Sequence, residues 1–161
     1  MTAKEIKVIN ARINEELRNI STLIDELEEK QVFIKIDSFM DDSFYLRSIG
    51  SVLHDFYVAA ENTLKIICSE IEEKLPEGAN WHILLLKQAS YDIPEIRPAV
   101  ISKLTMDKLD KYRAFRHIFR NVYGYNLDPD RIKELLRELP ETVEMFTEDV
   151  KAFITLLDQD L

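Results

Sequence analysis

The hydrophobic residues near the start of the chain recur every three or four positions. Between residues 2 and 31 they form one stripe, with charged residues on the other positions: Ile6, Ile9, Ile13, Leu17, Ile20, Leu23 or Ile24, and Leu27. This spacing predicts one long amphipathic first helix. A second stretch, from about residue 38 to residue 75, contains no proline and only Gly50, and Pro76 and Gly78 end it. It predicts a second long helix, bent near Gly50.

A shorter third helix is predicted after these two. It covers about residues 81–90, where Trp81 and three consecutive leucines supply apolar anchors behind a cap at Asn80. Residues 91–101 contain two prolines, and each proline disfavours helical backbone at the residue before it. This stretch is therefore predicted to be an extended loop.

Two more helices follow, each with its own start and stop residues. Thr105 is the predicted N-cap of a fourth helix that runs to Tyr123, and Gly124 is the residue expected just past its end. Asp128, followed directly by a proline, is typical of the start of a fifth helix. Pro140 is expected to break or restart that helix.

The chain as a whole is predicted to be all-α. No segment alternates apolar and polar residues over any length, and there are no repeats, low-complexity tracts or linkers. Three glycines and five prolines are too few for the many turns of a sandwich or barrel. We therefore predict a single domain over residues 1–161, a bundle of about five helices in which the first two are long and antiparallel.

Composition limits what this bundle could bind and the cellular compartment in which it is expected. The net charge is −9, so the molecule as a whole repels nucleic acids and anionic membranes, and phosphate binding would need a local basic patch. The single Cys68 excludes an internal disulfide or a cysteine-based zinc site and fits a reducing cytoplasm. No apolar run approaches the roughly 18 residues of a membrane span, and the N-terminus has no signal-peptide pattern. A small, acidic, cytoplasmic protein is the expectation.

The fourth helix carries a local excess of positive charge. Five basic residues and one acidic residue lie between positions 108 and 121. At about 100° per residue, its polar residues fall on one face and its apolar residues on the opposite face. The polar set is Arg113, Arg116, His117, Arg120 and Asn121. The apolar set, predicted to be buried in the core, is Phe115, Ile118, Phe119 and Val122.

Two interpretations of this basic face are open on the residues alone. Guanidinium groups that point the same way are suited to bidentate binding of phosphate, and an imidazole beside them could move protons. Alternatively, the face is a solvated surface whose arginines pair with acids on neighbouring helices.

The segment from Tyr112 to Tyr125 resembles the signature helix of the HEPN superfamily, specifically the HepT-like branch of toxin–antitoxin ribonucleases. The family pattern is an arginine, a polar residue, three variable residues, a histidine, one variable residue and a tyrosine. Arg116 and His117 match its first two positions, Asn121 stands where the catalytic histidine is expected, and Tyr123 takes the tyrosine position.

Similar residues extend the resemblance over most of residues 40–155. They are Glu61, Leu64, Lys65 and Ile67 on the second long helix, the Asn80-Trp81-His82 helix start, Ile96-Arg97-Pro98, and the tail after Asp128-Pro129.

The resemblance implies a HEPN-type bundle that pairs as a homodimer, in which two motif helices form one composite cleft. It implies a toxin that cleaves RNA, such as tRNA or mRNA, without a metal or other cofactor. The cleft would use Arg116, His117 and Asn121 for catalysis, and Arg113 and Arg120 for phosphate binding. It further implies a minimal nucleotidyltransferase antitoxin as partner, which silences the toxin by adding AMP to the motif tyrosine.

The departure at Asn121 keeps other functions open. An amide cannot act as a general base, which leaves His117, one turn away on the same face, to take that role. The alternatives are a non-catalytic module that binds RNA or a nucleotide, and a structural helical adaptor whose arginines only make ion pairs.

The remaining titratable residues are expected to be structural. His54 and His82 are each predicted to be buried or to cap a helix, and Cys68 is predicted to lie in the core. The three histidines are too scattered to form a metal-binding pair on one helix, and no carboxylate spacing supplies a metal site.

Overall fold

The computed structural model describes residues 1–159, which form six α-helices and one turn of 3₁₀-helix. The α-helices are α1 (Ala3–Glu29), α2 (Ile36–Phe39), α3 (Ser43–Ile71), α4 (Trp81–Ala89), α5 (Lys103–Asn121) and α6 (Pro129–Gln159). No strand occurs in these described residues, so the predicted all-α bundle is confirmed. Its five longer helices match the predicted number, and α2 adds a single turn.

The helix α1 presents the predicted apolar stripe to the core. Thr2 and Glu5 form a reciprocal capping box, in which each side chain accepts a hydrogen bond from the backbone N–H of the other residue. The buried residues are Ile6, Ile9, Ile13, Leu17, Ile20 and Leu27. One face of α1 is thus held against the bundle along its whole length.

The two long helices α1 and α3 run antiparallel, as predicted. Arg12 near the start of α1 pairs with Glu70 near the end of α3. Glu16, one turn further along α1, accepts a hydrogen bond from Asn62, which lies two turns earlier on α3 (3.4 Å). The contacts therefore move backwards along α3 as they move forwards along α1.

The helix α3 lies at the centre of the bundle and packs against α1, α4, α5 and α6. It runs without interruption from Ser43 to Ile71, through Gly50, as one long helix. Gly50 allows α5 to pack closely against α3, because a Cβ atom at this position would lie 3.0 Å from the ring of Phe119 on α5. The ring of Phe119 fills the space that a side chain would need.

Pro140 also lies inside a continuous helix, so the predicted break of the last helix is wrong. The helix α6 extends from Pro129 to Gln159. Leu136 and Leu139 before the proline, and Phe146 and Val150 after it, are buried. Tertiary packing on both sides of the proline holds the helix together where local propensity would end it.

The helix α5 starts and ends earlier than predicted. Ser102, not Thr105, is its N-cap: the Ser102 hydroxyl accepts the N–H of Thr105 at 3.1 Å. The last helical residue is Asn121, and Val122 is extended. The chain leaves the helix here because it turns back to bury Leu127. The Leu127 side chain packs near Gly50, at 3.5 Å from where a Cβ atom of residue 50 would lie.

The buried set predicted on α5 is only half right. Phe115 is buried and Phe119 is partly buried against the core. The prediction of burial is wrong for Ile118 and Val122, which are 47% and 40% exposed. No described residue covers that side of the helix, and Val122 lies beyond the helix end, where the 100° arithmetic no longer applies.

The connection from α4 to α5 is a loop, as predicted, but it is not extended throughout. Its middle is a turn closed by an isolated bridge between Ile93 and Arg97. Asn80 occupies the N-cap position of α4, but its side chain makes no capping hydrogen bond with any described residue, contrary to the prediction.

Candidate active site

The polar residues predicted on the fourth helix line one cavity of about 480 Å³. The helix α5 supplies Arg113, Arg116, His117, Arg120 and Asn121. The opposite wall consists of Ala79, Asn80, His82 and Ile83, at the start of α4. Spacings of three and four residues place the α5 side chains on one face of the helix, and α4 turns that face into a cleft.

A buried carboxylate lies behind this cavity. Glu61, on α3, is 2% exposed. Its carboxylate contacts the Nδ1 atom of His82 at 2.5 Å, the Nζ atom of Lys65 at 3.3 Å and the Nη1 atom of Arg116 at 3.9 Å. Three cationic or hydrogen-bonding groups thus compensate one buried charge and join α3, α4 and α5.

Arg116 extends from α5 towards this carboxylate and keeps part of its donor capacity free. Its Nη1 atom lies 3.3 Å from Nδ1 and 3.5 Å from Nε2 of His82. Its Nε atom is buried without a hydrogen-bond partner among the described residues. The hydroxyl of Tyr57 is likewise buried without a partner in residues 1–159. Burial, reinforced by the nearby Glu61 charge, raises the pKa of Tyr57, so this hydroxyl stays protonated.

The other two arginines of the cavity differ in their surroundings. Arg113 donates from Nε to Asp110 at 2.6 Å, one helical turn earlier on α5. Arg120 is exposed and has no ion-pair partner in residues 1–159. Asn121, at the end of the helix, donates its side-chain N–H to the backbone carbonyl of His117 at 2.6 Å. The cavity therefore offers one fully free guanidinium and two that are partly engaged.

The lysines earlier on α5 pair with acidic residues of a neighbouring helix, as the second interpretation of the basic face predicts. Lys108 donates to Glu141 and Lys111 donates to Glu138, both at 2.9 Å and both across to α6. The excess positive charge of this helix is thus neutralised over its first half and remains open only where the cavity lies.

Tyr123 lies beyond the end of α5, although the fourth helix was predicted to run to it. It follows the extended Val122, and its ring stacks on that of Tyr125 with 5.5 Å between centroids and 4° between planes. The two rings are 72% and 64% exposed. They form a flat aromatic surface just past the end of the motif helix.

Of the three residues predicted to be structural, Cys68 fits its predicted place in the core. It is fully buried, and burial raises the pKa of its thiol to about 12. His54 and His82 are both only partly buried. His54 contacts Asp55 at 3.1 Å and packs against the ring of Phe119, whereas His82 lines the cavity and contacts Glu61.

Glu61 behind the cavity and His82 on its wall form the contact that sequence reasoning did not predict. They are 21 positions apart and lie on different helices. The one local signal was a glutamate that follows two alanines on the apolar face of the second long helix, one turn from Tyr57 and Leu64. A carboxylate at such a position needs partners, but the sequence does not say which groups supply them.

The described residues contain neither a metal-binding cluster nor a membrane-spanning helix. Residues 1–159 contain no group of three or more His, Cys, Asp or Glu side chains arranged to hold a metal ion. Across the same residues, no helix combines the length and the apolar character needed to cross a membrane.

The family model described as HepT-like protein matches residues 48–157 of the chain. This range covers most of α3 and all of α4, α5 and the cavity between them. No curated protein matches the chain.

Proposed function

Because the chain belongs to the HepT-like family of the HEPN superfamily, we propose that it is the toxin component of a toxin–antitoxin pair and a metal-independent endoribonuclease. The observation that carries this proposal is the cavity in which three arginines, a histidine and Asn121 of one helix meet the start of α4. Its partly free guanidinium groups suit a phosphodiester, because arginine binds phosphate oxygens bidentately.

The proposed reaction is transfer of a phosphodiester within the RNA chain. A base takes the proton of a ribose 2′-hydroxyl, the 2′-oxygen bonds to the adjacent phosphorus, and the bond from phosphorus to the 5′-oxygen breaks. The leaving 5′-oxygen receives a proton, which gives a 2′,3′-cyclic phosphate and a 5′-hydroxyl. Arg116 and Arg120 stabilise the charge on the phosphorane oxygens, and His117 on α5 takes part in the proton transfer.

We propose that the cleft is completed in a homodimer by the same helix of a second copy. Two arginine faces repel each other across a two-fold axis, so apolar contacts beside the cleft must hold the pair. Ile118 and Val122 supply such contacts, because both are exposed and lie next to the cavity residues. A twofold mass in light scattering is expected for the wild type. Ile118→Asp should shift it towards the monomer, whereas Leu104→Asp, at the exposed opposite end of α5, should not.

The proposed partner is a minimal nucleotidyltransferase that adds AMP to Tyr123. The 72% exposure of its ring makes its hydroxyl accessible to an enzyme, and the added phosphate would bring negative charge close to the arginines. Co-expression with a minimal nucleotidyltransferase, followed by intact-mass spectrometry, tests this step. Tyr123→Phe should lose the added mass and Tyr125→Phe, the stacked neighbour, should keep it.

The second candidate function is a non-catalytic RNA- or nucleotide-binding module, which Asn121 favours. Its amide is already engaged by the carbonyl of His117 and cannot accept a proton. The third, a structural adaptor, requires arginines that are used up in ion pairs. The free Arg120 and the unpartnered Nε of Arg116, both judged over residues 1–159, argue against it.

The experiment that separates these functions is incubation of the purified protein with tRNA and total RNA in the presence of EDTA. We expect cleavage with 2′,3′-cyclic phosphate ends, lost in Arg116→Ala and kept in Arg18→Ala, an exposed arginine on α1. His117→Ala should lose cleavage but keep most of its RNA affinity. RNA that is bound and never cut by the wild type, together with an active Asn121→His variant, would identify the chain as a binder.

A further inference from the structure

The cavity contains a second imidazole, which does not belong to the motif helix. His82 lies on the α4 wall, with its side chain 28% exposed and its Nδ1 atom 2.5 Å from Glu61. Glu61 itself is 2% exposed and cannot turn away to solvent. A cavity-lining histidine is therefore held from behind by a fixed carboxylate.

This contact determines which ring nitrogen carries hydrogen. A carboxylate can only accept, so the hydrogen of this short bond lies on Nδ1 of His82. In the neutral ring the free lone pair then belongs to Nε2. When Nε2 takes up a proton, the carboxylate stabilises the imidazolium that forms, which is the arrangement of a carboxylate-oriented general base.

The neighbours of His82 do not block the lone pair of its Nε2 atom. The Nη1 atom of Arg116 is almost equally far from the two ring nitrogens, at 3.3 and 3.5 Å, which places it over the ring face and not in line with the Nε2 lone pair. The indole of Trp81 also approaches the ring, with 3.6 Å between centroids. These contacts and Glu61 fix the plane of the imidazole.

His117 is held differently. It is exposed, and its imidazole makes no hydrogen bond with any side chain or backbone group of residues 1–159. No carboxylate of residues 1–159 is placed to select its tautomer.

We propose that His82, oriented by Glu61, is the general base of this cavity; the inference rests on the ribonuclease function proposed above. Nε2 of His82 takes the 2′-hydroxyl proton as the 2′-oxygen bonds to phosphorus. The bond from phosphorus to the 5′-oxygen breaks, and protonated His117 gives its proton to that oxygen. Solvent then returns both histidines to their starting states. The base that the motif helix lost at Asn121 is thus supplied from the facing helix.

The first test measures kcat and KM for cleavage of a short oligoribonucleotide by His82→Gln. Glutamine keeps a side-chain donor for Glu61 but cannot take up the proton. We expect kcat to fall by about 100-fold or more with KM nearly unchanged, since general-base catalysis contributes on this scale. The control is His54→Gln, which changes the histidine outside the cavity and should leave both constants unchanged. Thermal melting of each variant verifies folding.

The second test separates proton transfer from structural support. Free imidazole should restore part of the cleavage in His82→Ala and none in Arg116→Ala. Glu61→Gln is expected to lower kcat, because an amide no longer selects the Nδ1–H tautomer. Nitrogen-15 NMR of the wild type, which needs no RNA, should report that tautomer for His82 and its loss in Glu61→Gln.

The outcomes distinguish a failure of the proposed role of His82 from a failure of the proposed ribonuclease function. If the wild type cuts RNA and folded His82→Gln cuts it at the wild-type rate, the role of His82 is wrong and the ribonuclease stands. If NMR finds the Nε2–H tautomer for His82, the orientation argument is wrong whatever the activity. If the wild type cuts no RNA, the ribonuclease proposal fails, and the role of His82 fails with it.

Discussion

A carboxylate inside a protein is costly unless donors or cations surround it. Glu61 satisfies this requirement with groups from its own helix and from two others, namely Lys65, His82 and Arg116. Because two of these contacts, those with His82 and Arg116, also fix residues of the cavity wall, the electrostatic demand of one buried residue helps to set the geometry of the candidate active site.

Cys68 illustrates the opposite case, a polar group that burial makes inert. Burial, with a smaller effect of the Glu72 charge, raises its pKa from 9.0 to about 12. At pH 8 we therefore expect Ellman's reagent to label the native protein slowly, and the protein unfolded in guanidinium at once. Fast stoichiometric labelling of the native protein at pH 8 would contradict the buried position.

The raised pKa of Cys68 also determines the direction in which stability changes with pH. The folded pKa lies above the unfolded pKa, so the contribution of the thiol is fully present below about pH 9 and is lost as the pH rises towards 12. The free energy of unfolding should therefore fall more steeply above pH 9 in the wild type than in Cys68→Ala.

Single residues were predictable where their neighbours lie on the same helix. The stripe of α1, from Ile6 to Leu27, and the burial of Phe115 followed from helical periodicity alone. Exposure of Ile118 did not, because periodicity gives the direction of a side chain but not whether another element covers it. The contact of Glu61 with His82 joins two helices, and no local pattern encodes it.

At the scale of elements, the connection between α4 and α5 determines how the two cavity walls face each other. Arg97, in this loop, has a side chain with no solvent exposure. Its Nε atom donates to Glu72 at 2.6 Å. Its terminal nitrogens donate to the carbonyls of Tyr91, Pro98 and Gln88 at 2.9–3.1 Å. One guanidinium therefore ties the loop to the ends of α3 and α4.

We expect Arg97→Ala to lower the free energy of unfolding by about 3–5 kcal/mol, because it removes the cation paired with the buried carboxylate of Glu72 and the donor to the carbonyls of Tyr91 and Pro98. Urea denaturation followed by circular dichroism measures this change. The control is Arg18→Ala, which removes an exposed pair with Glu15 and should cost less than about 0.5 kcal/mol. Arg97→Met combined with Glu72→Leu should recover part of the loss. A cost for Arg97→Ala as small as the control would contradict the buried anchor.

Element boundaries were predictable only where local chemistry decides them. The helix α1 starts at its capping box, whereas α6 passes through Pro140 and α5 stops two residues before Tyr123. In the last two cases tertiary packing decides. Buried leucines and aromatic rings keep α6 helical through the proline, and burial of Leu127 draws the chain away from the axis of α5.

At the scale of the whole molecule, the distribution of charge matters more than its sum. The chain carries a net charge of −9, and acids on α6 neutralise Lys108 and Lys111 at the start of α5. The positive potential is thereby confined to the end of α5, where Arg113, Arg116 and Arg120 line the cavity. For the RNA proposed above as the ligand, this distribution of charge favours approach at the cavity over the rest of the surface.

This distribution predicts how RNA affinity responds to salt. For single strands, each phosphate that a cation neutralises contributes about −0.7 to the slope of log K against log salt concentration. Three arginines in the cavity of one protomer give at most about −2, and the six of a paired cleft at most about −4. The slope, measured with oligouridine by fluorescence anisotropy, thus reports whether the cleft is single or composite. Arg120→Gln should flatten it by one phosphate contact per protomer, while Lys108→Gln, which lies outside the cavity, should leave it unchanged. A slope near −2 for a protein whose scattering mass is dimeric would contradict the shared cleft, because it would mean that each protomer binds RNA alone.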